Sequence, residues 1–153
     1  MRRVLLGWSP MHGPSATSRE LGFDDVLTHT PKVLTNVYVP VVPGRRCAYR
    51  ELGERESFDW ALASAAVSLT LGEAGKVKDA RIVLGAVART PLFRVEASFA
   101  LRDRVVTPEV AREVAALALE GAKPLAENAY KIPIARALVA RALLAAAGQE
   151  GKK

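Results

Sequence analysis

The residues of this chain best equipped for chemistry lie in one short stretch, where Tyr49, Arg50, Glu51, Leu52 and Gly53 follow one another. An aromatic ring, a guanidinium, an apolar side chain and a permissive backbone in succession suit the covering of a flat conjugated ring that bears electronegative oxygens. The same stretch also reads as a salt-bridged surface loop, because Arg45, Arg46, Glu54, Arg55 and Glu56 surround it with both signs of charge. In either reading it is a loop joining two strands.

Other candidates for chemistry are few. His12 and His29 are the 2 histidines, and no Ser, Cys or carboxylate pattern near them would build a triad or a metal site, so they read as solvated. Asp24 and Asp25 precede a possible helical turn at residues 21–27, where carboxylates cap rather than catalyse. Cys47 is the 1 cysteine, which excludes an internal disulfide and fits a reducing, cytoplasmic setting. Gly72, Gly75 and Gly85 match neither G-x-G-x-x-G nor the Walker pattern, so no phosphate-cradling loop is legible.

Positioning such a stretch requires strands on either side of it. Residues 33–41 alternate apolar and polar side chains and end in prolines, which predicts a strand. Residues 61–72 are rich in alanine, which favours helix by propensity alone. Their periodicity decides otherwise: Ala65, Val67, Leu69 and Leu71 fall on one face and Ala66, Ser68 and Thr70 on the other, the two-residue repeat of a strand. A turn at "GEAGKV" and renewed extended pattern at residues 77–88 complete a predicted hairpin. The small residues Ala63, Ser64, Ala65, Ala66, Gly85 and Ala86 leave room on it for a closely packed helix or a planar ligand.

Helical signals dominate the remainder. "TPLFRVEASFALRD" predicts a short amphipathic helix, and a second opens with Thr107 as N-cap, Pro108 at the first helical position and Glu109 in the first turn, stopping by Gly121. After Pro124, residues 129–147 form a last helix with Ile134, Leu138, Val139, Leu143 and Leu144 around most of its circumference, so it is buried or covered by a partner. Residues 1–31 show no sustained period and read as an extended or poorly ordered arm, and residues 149–153 as a disordered tail.

The composition, 50% hydrophobic and 25% charged over 153 residues, is that of one globular domain. The net charge of +6 comes from basic residues scattered among acids, without a Lys/Arg block or interleaved aromatics, which argues against a nucleic-acid interface. The C-terminal apolar region is interrupted by Arg136 and Arg141, so no membrane span is expected, and the short apolar patch at Val4 to Leu6 is too brief for a signal peptide.

Four segments, "CAYRELGERESFDWALASAAVSLTL", "GKVKDARIVLGAVARTPLFRVEASFAL", "TPEVAREVAALALEGAKPL" and "NAYKIPIARALVARAL", resemble in that order the C-terminal domain of the flavin-binding subunit of molybdenum hydroxylases, the group that includes the medium subunit of carbon monoxide dehydrogenase and xanthine dehydrogenase relatives. The resemblance implies an α+β domain over residues 32–148, an antiparallel sheet of three to four strands covered by about three helices. It implies that Tyr49, Arg50 and Leu52 border the isoalloxazine of FAD, with no catalytic or metal-ligating residue in this chain. The family's Gly-rich half, which holds the FAD diphosphate, has no counterpart here. The expectation is therefore a non-autonomous domain, inactive and free of cofactor alone, that joins an FAD-binding half on another chain and iron–sulfur and molybdenum subunits. The last helix is its candidate contact for a second copy. The competing expectation is a free-standing assembly module that keeps the fold without redox activity.

Overall fold

A computed structural model of the chain describes residues 41–55, 59–88 and 90–149. The predicted strand at 33–41, apart from its last residue, the helical turn at 21–27, the N-terminal arm, the tail beyond residue 149 and both histidines lie outside the described residues. All the elements below belong to one compact unit, Gly44–Lys153.

Four strands, β1 (Arg45–Gly53), β2 (Ala61–Leu71), β3 (Val77–Gly85) and β4 (Leu92–Phe93), form an antiparallel sheet in sequential order. Three helices follow, α1 (Val95–Phe99), α2 (Pro108–Ala118) and α3 (Lys131–Ala146). This is the expected α+β architecture. The alanine-rich tract is a strand because its alternation is satisfied by burial: Ala63, Ala65, Val67 and Leu69 are buried, whereas Ala66 is exposed. Opposite them on β3, Ala80, Ile82 and Leu84 complete the inner face, and α1 contributes Ala97. The buried stripe of α3, which crosses β1 and β2, brings Leu138, Val139, Ala142 and Leu143 to the same core. Each fully buried Leu, Ile or Val contributes about 1.5–3 kcal/mol.

Two expectations are corrected. The stretch around Tyr49 is no loop: residues 45–53 are strand β1, paired with β2 from Arg45 opposite Thr70 to Gly53 opposite Ala61. Charge misled the sequence reading because, among the described residues, β1 lies at the edge of the sheet, and sheet edges commonly carry charged side chains. The "TPLFRVEASFALRD" segment is not one helix either. Leu92 and Phe93 first extend the sheet beside β3, and only five residues, Val95–Phe99, are helical. Ser98 supplies the reason: its hydroxyl accepts from Ile82 N–H at 3.0 Å and donates to the Arg94 carbonyl at 2.7 Å, closing the sheet where β4 ends. The second strand of the hairpin also stops at Gly85, short of residue 88, because Ala86 takes a positive φ of 59°.

Helix ends follow local chemistry. Thr107 accepts from Val110 N–H at 3.3 Å with Pro108 at the first helical position, as expected for α2. Pro133 is tolerated in the first turn of α3, where its missing N–H costs no intrahelical bond. The far end closes at Gly148, φ 74°, with Gln149 N–H on the Leu144 carbonyl and Gly148 N–H on that of Ala145, the paired bonds of a Schellman cap. The α3 circumference is less uniformly apolar in space than in sequence, for Pro133, Arg136, Ala137 and Arg141 form its exposed side.

Candidate functional site

Strand β1 positions every candidate of the sequence reading, and the pleat separates them. Register places Tyr49 opposite Ala66 and Glu51 opposite Ser64, on the face away from the helices. Arg50 and Leu52 stand opposite Ala65 and Ala63, on the face that carries the core. Adjacent residues of a strand point to opposite faces. Tyr49 therefore shares no face with Arg50 and Leu52, and one planar group touches all three only across the outer edge of β1.

Tyr49 belongs to a small polar network. Its hydroxyl donates to the Glu51 carboxylate at 2.7 Å, and the Ser64 hydroxyl lies within its reach. The hydrogen bond with Ser64 favours the phenolate, but the Glu51 bond, partial burial and repulsion from the Glu51 charge together outweigh it and push the phenol above its usual value. Ser64 is itself buried, and an added Cβ on the facing Gly85 would fall 2.4 Å from its oxygen, so glycine is what admits the hydroxyl.

The remaining charges have structural partners. Arg50 donates to the Tyr49 carbonyl at 2.7 Å. Arg46 reaches the Ala147 carbonyl at 3.5 Å, a cation at the negative end of α3. Across the outer face Asp79 lies 3.5 Å from Arg45 and 3.8 Å from Arg81. Burial pulls the Arg81 guanidinium down, Asp79 pulls it back up and Arg45 pushes it down again, with a net lowering. Sequence reasoning missed the most exposed aromatic of this end of the sheet, Trp60, 92% exposed just before β2. Its backbone N–H donates to Asp59 Oδ1 at 2.8 Å. Leu52, 43% exposed, and Tyr49, 54% exposed, flank the same strand end. An aromatic next to a charged run carried no periodic signal, so only its exposure marks it.

The model of the CO dehydrogenase flavoprotein C-terminal domain matches residues 47–146. The chain belongs to this family.

Solved flavoprotein-family relatives agree. The chain is similar to a chain of quinoline 2-oxidoreductase from Pseudomonas putida 86, 30% identical with a TM-score of 0.64, covering 70% of this chain and 39% of that one. A chain of the cyanide-inactivated Cu,Mo-CO dehydrogenase is 33% identical with a TM-score of 0.65, covering 72% of this chain and 40% of that one. One from the Hydrogenophaga pseudoflava CO dehydrogenase lacking the Mo-pyranopterin moiety is 32% identical with a TM-score of 0.64, covering 71% and 39%. The chain thus spans about two fifths of the length of these solved chains. No curated protein sequence matches it.

FAD, the cofactor a flavoprotein family implies, fits the described residues only in part. A diphosphate needs backbone that glycine leaves open, yet Gly72 and Gly85 are closed by Lys78 and Ser64, and Gly44, Gly75 and Gly121 face open space. Among the described residues no helix is long and apolar enough to cross a membrane.

Proposed function

We propose that this chain serves as the C-terminal domain of the flavin subunit in a molybdenum hydroxylase-type oxidoreductase, with the edge of β1 bordering the isoalloxazine of an FAD held by a separate nucleotide-binding half. The similarity to CO dehydrogenase chains at 33% identity, over 72% of this chain, is the observation that carries the reading. Tyr49 would meet the ring from one side of the edge and Arg50 and Leu52 from the other, with Trp60 at the strand end beside them. Iron–sulfur and molybdenum subunits are the remaining partners, and the setting is cytoplasmic. A second copy docking on α3 would meet the exposed Arg136 and Arg141, a like-charged face that disfavours self-pairing. The similarity to oxidoreductase chains favours this reading over the assembly module, which keeps the fold without a redox role.

The chain supplies charge, not chemistry, to the ring. A guanidinium near the negative charge that gathers on a reduced ring contributes about 1–3 kcal/mol. Arg50→Ala in the complex reassembled with its FAD-binding half is therefore expected to lower the flavin potential by tens of millivolts, at about 30 mV per tenfold for a two-electron couple. Purified alone, the 153-residue chain is expected to retain no flavin absorbance. Stoichiometric flavin on the isolated chain would contradict the need for a second half, and an unchanged potential in Arg50→Ala would remove Arg50 from the ring's surroundings.

A further inference from the structure

A cavity of about 250 Å³ opens at the other side of the sheet, between the β3–β4 end and the segment that leads into α3. Its walls are apolar, formed by Leu84, Leu92, Ile132 and Ala135. Three cations, Arg94, Lys123 and Lys131, line it against one carboxylate, Glu120. None of the three has a carboxylate partner among the described residues.

The positions of these cations are unusual for a purely structural role. Arg94 gives one Nη2–H to the Glu120 carbonyl at 2.9 Å, which fixes its fork, while its Nε is buried with no acceptor. Buried donors are ordinarily satisfied. Lys131 is the first residue of α3, where the helix dipole favours an anion over a cation, and Tyr130 before it supplies no side-chain cap. Asn128, whose Oδ1 accepts from Leu125 N–H at 2.7 Å, belongs to the same lining. An anion placed here would meet the three cations of the lining, and the apolar walls call for a carbon skeleton behind it. The volume lies below the roughly 300–1,000 Å³ of drug-sized sites, so the ligand is small.

We propose that this cavity binds a small carboxylate with an apolar body, an aromatic or branched aliphatic acid, held by Arg94 with Lys123 and Lys131. The inference rests on the cavity alone and is independent of the flavin reading. Benzoate is the probe: the full ¹⁵N-labelled chain is titrated with sodium benzoate and, separately, with neutral benzamide and inorganic phosphate. Saturable shifts centred on Leu84, Arg94 and Lys131, with benzamide and phosphate each at least about tenfold weaker, are expected for a charge-assisted contact backed by apolar walls. Arg94→Gln is expected to weaken benzoate at least about tenfold. Because Arg94 also anchors Glu120, the variant Lys123→Gln/Lys131→Gln, which removes no internal hydrogen bond, is measured beside it and is expected to weaken benzoate in the same direction. No saturable benzoate binding, phosphate as tight as benzoate, or a folded lysine double variant that binds benzoate like the unaltered chain would each overturn the proposal.

Discussion

Glu51 contributes to the protonation behaviour of Tyr49. The Ser64 hydrogen bond, the largest single influence, favours the phenolate, but the Glu51 hydrogen bond, partial burial and the Glu51 charge together outweigh it, so the phenol is held above its ordinary value. A raised folded-state value means the contribution to stability is present below the unfolded tyrosine pKa and is lost as the pH rises through the folded one. Replacing Glu51 with Gln removes the upward causes that come from its charge and leaves the Ser64 bond. The Tyr49 phenol of Glu51→Gln is then expected to ionise at lower pH than in the unaltered chain. Ultraviolet titration of each protein against its Tyr49→Phe counterpart isolates this residue from Tyr38 and Tyr130. An unchanged midpoint would show that Glu51 does not hold the phenol in solution.

Strands β2 and β3 are matched by a single atom-scale fit. Ser64 faces Gly85 in the register, and a Cβ at Gly85 would lie 2.4 Å from the Ser64 hydroxyl but 3.8 Å from its Cβ. Gly85→Ala is therefore expected to destabilise the domain by about 1–3 kcal/mol through overpacking. Ser64→Ala removes the offending oxygen, so the double variant should recover most of that loss, a coupling that chemical denaturation of the four proteins measures directly. Additive losses would mean the strain arises elsewhere. The small residues at this hairpin thus have an identified structural use, and close approach by a planar ligand is not needed to explain Gly85.

Assembly is the scale at which Trp60 acquires meaning. At 92% exposure it gives the isolated domain almost no burial, so Trp60→Ala should change its stability by no more than about 0.5 kcal/mol. A partner closing over the end of β1 would bury it, and aromatic anchors of that kind cost about 2 kcal/mol or more when truncated. Titration of the FAD-binding half against both proteins is expected to show association weakened at least about tenfold in the variant. Equal affinities would place the partner's contact away from this end of the sheet.

Periodicity alone determined the β2–β3 hairpin and the capped start of α2, because alternating burial and N-cap chemistry are local properties that no distant contact needs to supply. The order of segments likewise carried the family, since the match spans residues 47–146. Tertiary structure decided what lay on the edge. Nothing local distinguishes a charged loop from a charged edge strand, and only pairing with Ala61 through Thr70 makes residues 45–53 a strand that sends Tyr49 to one face and Arg50 and Leu52 to the other. Burial of Arg94 Nε, exposure of Trp60 and the fit of Ser64 against Gly85 were also invisible in sequence, for each depends on atoms brought together from segments far apart in the chain.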